Sequence, residues 1–143
     1  MKTIFLDIDG VLYGAGDTKL VRGMATKKIL DMLYKFHKEN ECHIVIVSTR
    51  RMFSYERKDI DVVFKKYNFS YLDYTRRLSV RALEIESYVK ENNINEYVIL
   101  DDIDQEYSSN PELNKHFIKI DSMYGLTEKD LIKARIILNN IFK

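Results

Sequence analysis

Carboxylate and hydroxyl side chains follow three of the short apolar runs in this chain. Asp7 and Asp9 come after the first run, a Ser-Thr pair at 48–49 after the second, and an Asp pair at 101–102 after a later one. In an extended backbone, residues two positions apart point to the same side, so we expect the carboxylates of Asp7 and Asp9 to point together. Crowded carboxylates repel each other unless a cation lies between them. Oxygen ligands without a nearby Cys or His favour a hard ion, and we therefore expect Mg²⁺.

Such a group of residues could break a phosphate ester. A carboxylate held near Mg²⁺ and facing a phosphate can act as a nucleophile and form an aspartyl-phosphate. A second carboxylate two residues on can protonate the leaving oxygen, and then deprotonate the water that hydrolyses the intermediate. Ser48, at the end of the next strand, could hold a non-bridging phosphate oxygen. An Arg would offset the charge that develops on the transferred phosphoryl group.

Each of these features also has an ordinary structural interpretation. An isolated Asp-x-Asp is common in turns, and Asp101 with Asp102 could cap the short turn before Pro111. Ser48 with Thr49 could form the N-cap of the helix that follows. The placement of three polar groups, each directly after a predicted buried strand, favours a functional site over these separate structural roles.

Short β-branched runs alternate with longer amphipathic segments along the whole chain. The predicted strands are residues 3–6, 43–47, 97–100 and 116–120, with 70–74 as a weaker candidate. The predicted helices are residues 24–39, 55–67, 79–92, and a last helix that begins with the capping pair Thr127 and Asp130 and extends to Ile141. This alternation predicts an α/β fold, a three-layer, Rossmann-like parallel sheet of about five strands with helices on both faces. Such sheets bind ligands beyond the carboxyl ends of their strands, where the three polar groups are expected to meet.

Composition and charge narrow the class of protein. The chain has 143 residues, of which 45% are hydrophobic and 31% charged, so we expect one globular domain over residues 1–143. The net charge of +1 gives no global cationic field that would argue for nucleic acid. The single Cys42 excludes an intrachain disulfide and a multi-cysteine zinc site. We expect no membrane span and no signal peptide, and a cytoplasmic enzyme as the default.

Three segments resemble motifs of the haloacid dehalogenase (HAD) superfamily. Residues 5–12, FLDIDGVL, resemble its first motif, a hydrophobic run followed by DxDG. Residues 44–48 resemble the second motif, a strand that ends in Ser or Thr, and residues 98–102, VILDD, resemble the acidic fourth motif. The segments RALEI at 81–85, LDD at 100–102 and GLT at 125–127 are similar, in order, to the HAD domain of Swiss Army Knife RNA repair proteins.

The resemblance implies a role for each matching residue. Asp7 would be the nucleophile and a metal ligand, and Asp9 the general acid/base whose backbone carbonyl also binds the metal. Ser48, with Thr49 beside it, would bind the phosphoryl group. The resemblance favours Asp102 over Asp101 as a metal ligand, but the sequence leaves open which of the two binds Mg²⁺.

Two departures from the family pattern concern arginines. The superfamily usually supplies a Lys in its third motif, yet residues 67–89 contain none. Arg81 is the available cation at the start of the right helix, either as a phosphate-binding group or as an ordinary exposed residue. Glu84, three residues on, could hold it in place through a helical ion pair. The second departure is Arg50, which stands where the subgroup favours an aromatic residue, followed by Arg51 in the Arg position.

The predicted site would be open, because only about a dozen residues separate Gly10 from the first helix. We expect a capless HAD core with a short flap at residues 12–17. Its open site could admit a nucleotide, the end of a nucleic acid or a phosphorylated protein. Tyr13 or Phe53 could stack on bases. Basic residues that could form an approach surface are Arg50, Arg51, Arg57, Lys58, Arg76 and Arg77.

Other interpretations stay open at this stage. The missing Lys would suit a binding or regulatory module that kept the fold and lost turnover. A receiver domain is less consistent, because its acidic pair should end the first strand and its phosphoacceptor a middle one. We expect His37, His43 and His116 to be structural, since they follow no ligand spacing, and Cys42 to be a small buried apolar residue. The oligomeric state cannot be predicted from the sequence.

Overall fold

The computed structural model describes residues 1–69 and 71–139, and within them a five-stranded sheet is covered by helices. The strands are β1 (Thr3–Leu6), β2 (His43–Ile46), β3 (Leu72–Tyr74), β4 (Tyr97–Asp101) and β5 (Phe117–Lys119). The helices are α1 (Lys27–Asn40), α2 (Ser54–Lys66), α3 (Arg81–Glu91), α4 (Pro111–Asn114) and α5 (Glu128–Asn139), with a short 3-10 helix at Thr49–Met52. All strand pairs are parallel, in the order β3-β2-β1-β4-β5.

The predicted alternation and the predicted fold class are confirmed, with small differences at element ends. Helix α1 begins at Lys27 because the Thr26 side chain accepts a hydrogen bond from the Ile29 amide (3.1 Å) and caps the helix. The weak strand candidate at 70–74 is realised as β3. Three residues of the predicted elements, Ser70, Asn140 and Ile141, lie outside the described residues.

The last helix begins with the capping pair that the sequence predicts. The Thr127 amide donates to Asp130 Oδ2 (2.9 Å), and the Asp130 amide donates to Thr127 Oγ1 (3.4 Å). Two orphan amides at the helix start are thereby satisfied. The short helix α4, which the sequence pattern did not predict, begins with Pro111 after the Asn110 side chain that caps it.

Alternating side chains of the sheet divide the core into two halves. Ile4 and Leu6 of β1 belong to a cluster that includes the apolar faces of α1, α2 and α5. Phe5, which points to the other face, packs with residues of α3 and α4. This division follows from the two-residue period of a strand and places α3 on the same side of β1 as the odd-numbered residues.

The loop that joins β1 to α1 packs against the loop that follows β5. The Leu126 amide donates to the Val11 carbonyl (2.7 Å). A Cβ atom on Gly14 would lie 2.4 Å from the Met123 carbonyl oxygen, so this close approach requires glycine. The predicted flap is therefore held by neighbouring backbone.

The histidines and the cysteine have the structural roles that were predicted. His37, His43 and His116 each pack against an aromatic ring, with centroids 3.7 to 4.5 Å apart. Cys42 is buried, at 1% exposure, among the apolar residues around α1. In the part of the chain that the structure describes, no helix combines the length and apolarity needed to cross a membrane.

Candidate active site

The carboxyl ends of β1, β2 and β4 bring distant residues to one edge of the sheet. Leu6 is in register with Ile46 of β2 and with Leu100 of β4, so the next residue of each strand arrives at the same level. The Asp7 amide donates to the Leu100 carbonyl (3.0 Å), which fixes Asp7 beside the end of β4. Because parallel strands share this edge, polar residues some 40 and 90 positions apart in the sequence become neighbours.

Three carboxylates converge at this edge. Oxygen atoms of Asp7, Asp101 and Asp102 lie within 4.8 Å of one another. Burial, together with the negative charge of Asp101, raises the pKa of Asp7 to about 8. Burial also raises the pKa of Asp102. Closely spaced oxygen donors with excess negative charge fit a hard divalent cation such as Mg²⁺.

The Arg81 guanidinium faces this acidic group from the first residue of α3. Its Nη1 lies 2.9 Å from Asp101 Oδ2 and 3.6 Å from Asp7 Oδ1, and the side chain is 10% exposed. The interpretation of Arg81 as an ordinary exposed residue is therefore wrong. The predicted helical ion pair between Arg81 and Glu84 is also wrong, because Glu84 pairs with another arginine.

The partners of Asp101 distinguish it from Asp102. Arg81, the Tyr107 hydroxyl (2.9 Å) and the Ile103 amide (3.1 Å) all donate to the Asp101 carboxylate, which is fully buried. Asp102 is only half-buried. Tyr107 was not identified from the sequence, since nothing in its local pattern marks it as a partner of the site.

Arg51 and Glu84 form a buried ion pair behind the site. Arg51 Nη2 lies 2.8 Å from Glu84 Oε1, and the two side chains are 3% and 4% exposed. The other Arg51 nitrogens donate to the carbonyls of Val47, Ser48 and Thr75. Arg51 thus joins the ends of β2 and β3 to α3, and its predicted place on a basic approach surface is wrong.

Asp9 belongs to a separate arrangement. Residues 8–12 form a turn, with the Leu12 amide donating to the Ile8 carbonyl (2.9 Å), and the Asp9 side chain has partners of its own. Arg50 donates to both Asp9 oxygens, at 2.8 and 3.0 Å, and the Tyr13 hydroxyl donates to Oδ1 at 2.6 Å. Burial acts to raise the Asp9 pKa, but these hydrogen bonds outweigh burial and lower it.

The turn after Asp9 brings the backbone against Asp102. Gly10 has φ +78°, and a Cβ atom there would lie 2.3 Å from Asp102 Oδ2. A side chain at position 10 would displace this carboxylate and would also be strained. The glycine of the DxDG motif is therefore required by the position of Asp102.

The hydroxyl residues after β2 differ in exposure. Ser48 is buried, and its Oγ accepts a hydrogen bond from the Arg50 amide (3.3 Å), so it caps the short 3-10 helix as the structural interpretation predicts. Thr49 is exposed. Ser48 lies at the end of β2, beside the end of β1, whereas the Thr49 side chain faces solvent.

Two of the other basic residues have partners outside the acidic group. Arg57 lies over the Tyr74 ring, 3.9 Å from its centroid, and Arg76 pairs with Glu91. Phe53, one of the two residues considered for stacking on bases, is 54% exposed. The other, Tyr13, contacts Asp9.

Comparisons with known proteins identify one family. The family model described as the HAD domain in Swiss Army Knife RNA repair proteins matches residues 3–131. This range includes the acidic group, Arg81 and the residues after β2. The search of curated proteins found no match.

Proposed function

Because the chain belongs to the family of HAD domains in Swiss Army Knife RNA repair proteins, we propose that it is a Mg²⁺-dependent phosphomonoesterase for nucleic-acid ends or nucleotides. Membership of the family supports a HAD-type, phosphatase-like function. The observation that carries the proposal is the convergence of the Asp7, Asp101 and Asp102 carboxylates within 4.8 Å of one another. The short loop between β1 and α1 supports an open site that admits the end of a polymer.

Asp7 is the proposed nucleophile. One of its carboxylate oxygens attacks phosphorus, forming an O–P bond while the bond from phosphorus to the leaving oxygen breaks. Asp7, Asp102 and the Asp9 carbonyl would hold Mg²⁺, which supplies positive charge to the phosphoryl oxygens when bound. Asp9 gives a proton to the leaving oxygen and then takes one from the water that attacks the aspartyl-phosphate. Inorganic phosphate leaves and the Asp7 carboxylate is restored.

Two further side chains would bind the phosphoryl oxygens. The Ser48 hydroxyl, with Thr49 next to it, is placed at the end of the strand that neighbours β1. Arg81 would take the place of the Lys that the superfamily usually supplies, a role supported by its distance of 3.6 Å from Asp7. Asp101, which accepts from Arg81, would position this guanidinium, leaving Asp102 as the metal ligand.

The test is a phosphatase assay with Mg²⁺ on nucleotides, phosphorylated RNA and DNA ends, phosphopeptides and sugar phosphates. Asp7→Asn should reduce phosphate release to background, and Asp9→Asn should reduce it about 10²- to 10⁴-fold. Asp31→Asn is the matched control, because Asp31 lies in an exposed pair with Lys27 and should leave turnover unchanged. Undiminished turnover in the Asp7 or the Asp9 variant would refute the mechanism.

The alternative of a binding or regulatory module is distinguished by the same substrate panel together with a thermal unfolding experiment with Mg²⁺. Such a module would be protected against heat by Mg²⁺ but would hydrolyse none of these esters. The position of Arg81 beside Asp7 supports the enzyme instead, since a cation is available where the missing Lys would act. Hydrolysis that depends on Asp7 would exclude the alternative.

A further inference from the structure

Arg50 holds the Asp9 carboxylate at both of its oxygens. Arg50 Nη2 donates to Oδ1 (2.8 Å), and Nε donates to Oδ2 (3.0 Å). Nη2 also donates to the Gly23 carbonyl (3.0 Å), and the Tyr13 hydroxyl donates to Asp9 Oδ1 (2.6 Å). The Asp9 carboxylate is thus bound by a bidentate guanidinium and by a hydroxyl group.

This arrangement conflicts with the role proposed for Asp9. A carboxylate that serves the leaving oxygen has to reach the phosphoryl group on Asp7. Among the described residues, the acidic group that converges within 4.8 Å consists of Asp7, Asp101 and Asp102, without Asp9. Both Asp9 oxygens accept hydrogen bonds from Arg50, so we infer that Asp9 separates from Arg50 before it acts, and the guanidinium then loses its anionic partner.

The pair of Arg50 and Asp9 is accessible to an incoming anion. Their side chains are 19% and 46% exposed, whereas those of the Arg51 and Glu84 pair are 3% and 4% exposed. A partly buried guanidinium that loses its carboxylate is unfavourable unless another anion replaces it. A phosphate offers two oxygens to the same guanidinium edge, so it can replace a carboxylate with the same bidentate geometry.

We propose that Arg50 is a specificity-determining residue that binds a second phosphate of the substrate, next to the phosphate that is removed. The inference rests on the proposed function. The second phosphate draws Arg50 away from Asp9, and the released carboxylate takes up a proton from water and turns toward the leaving oxygen, to which it gives that proton. A monoester without a second anion leaves Arg50 on Asp9 and is a poor substrate. The phosphodiester next to a terminal phosphate in a nucleic acid has the required chemistry.

The test compares two dinucleotides that differ only in the charge of their internal linkage. One has a natural phosphodiester and the other an uncharged methylphosphonate, and both carry the same terminal phosphate, in a 3′ series and a 5′ series. Phosphate release with Mg²⁺ gives kcat/KM for each. We expect wild type to prefer the phosphodiester about 10- to 100-fold, the range for a charged hydrogen-bonding interaction.

Variants of Arg50 should alter this ratio in a defined order. Arg50→Gln should bring the ratio close to one, and Arg50→Lys, which keeps the charge but not the bidentate edge, should give an intermediate value. Tyr13→Phe removes a neutral donor to Asp9, and Arg57→Gln removes an exposed cation of α2. Both controls should keep the wild-type ratio.

Each outcome decides the inference. A wild-type ratio near one overturns it without any variant, and so does a folded Arg50→Gln protein that keeps the wild-type ratio. Equal hydrolysis of both dinucleotides would leave the proposed function standing while the inference fails. If neither dinucleotide nor a simple aryl phosphate is hydrolysed, the proposed function is overturned, and the inference that rests on it fails as well.

Discussion

Replacing Asp7 by asparagine should stabilise the metal-free protein and remove most of its response to Mg²⁺. Asp7 is 6% exposed and shares its surroundings with two other carboxylates, whereas the Arg81 guanidinium is the cation in contact with it. Asparagine has nearly the same shape but no charge. The substitution therefore removes one source of repulsion while preserving the packing.

The gain in stability expected for Asp7→Asn can be calculated from the pKa of Asp7. Burial and the charge of Asp101 raise it from 3.8 to about 8, so the folded protein binds a proton that the unfolded chain releases at lower pH. Without divalent metal, the free energy of unfolding therefore falls as the pH rises through this window. At neutral pH the unfavourable contribution is about 4 kcal/mol, taking about 1.36 kcal/mol for each pH unit above 3.8. Burial of the amide costs about 1–2 kcal/mol in return, which leaves a net gain of about 2–3 kcal/mol.

Thermal unfolding followed by circular dichroism at neutral pH is the assay, with EDTA or with saturating Mg²⁺. In EDTA, the Tm of Asp7→Asn should exceed that of wild type by about 6–9 °C, because 1 kcal/mol corresponds to about 3 °C for a chain of this size. Mg²⁺ at 100 times its Kd should stabilise wild type by about 2.7 kcal/mol and the variant much less. The control Asp31→Asn changes an exposed pair and should alter stability by less than about 1 kcal/mol.

Two results would contradict this reasoning. The first is a metal-free Asp7→Asn protein that is less stable than wild type, which would mean that burial and the charge of Asp101 do not penalise the Asp7 carboxylate. The second is an equal increase in Tm on adding Mg²⁺ to both proteins, which would mean that Asp7 is not a ligand.

The remaining predictions concern the residues that surround or support the site. Gly10→Ala should weaken Mg²⁺-dependent thermal stabilisation, since its Cβ would lie 2.3 Å from Asp102 Oδ2; an unchanged Mg²⁺ titration would argue against this ligand. Glu84→Gln should lower the unfolding free energy in urea by about 3–5 kcal/mol, because Arg51 would be left buried without its anion. A decrease in unfolding free energy below about 1 kcal/mol would show that the carbonyl groups bound to Arg51 are enough to stabilise its buried charge. Burial lowers the pKa of His116, so protonation of the unfolded chain below about pH 6.5 should progressively destabilise wild type relative to His116→Gln. A stability difference between wild type and His116→Gln that does not change with pH would exclude this contribution of His116.

Local sequence patterns were sufficient to predict the strands, the four longer helices and the edge of the sheet where the site lies. Alternation of short β-branched runs with amphipathic segments depends on periods of two and 3.6 residues, which can be recognised without tertiary contacts. A parallel sheet then requires that residues after its strands meet at one edge. For this reason Asp7, Asp101 and Asp102 meet at one edge, and Ser48 follows the strand that neighbours β1.

Ion-pair partners, in contrast, could not be predicted from local spacing. The helical pair of Arg81 with Glu84 was expected from an i,i+3 spacing, which contributes only about 0.2–0.5 kcal/mol on an exposed helix. Packing of α3 against the sheet instead presents Arg81 to Asp101 and buries Glu84 against Arg51. A buried charge without a partner costs several kcal/mol, so the docked helix outweighs the local preference.

The sequence by itself determined which acidic residues follow the strands and which glycine follows Asp9. Tertiary structure decided which carboxylate each arginine contacts. Asp101 and Ile99 are two residues apart in β4, so their side chains point to the same face of the sheet. Helix α3 covers that face, and Asp101 therefore meets Arg81. Asp9 leaves the strand direction at a turn and meets Arg50 instead. These contacts join residues 20 and 41 positions apart, and they depend on how helices and loops dock on the sheet, which no local period encodes.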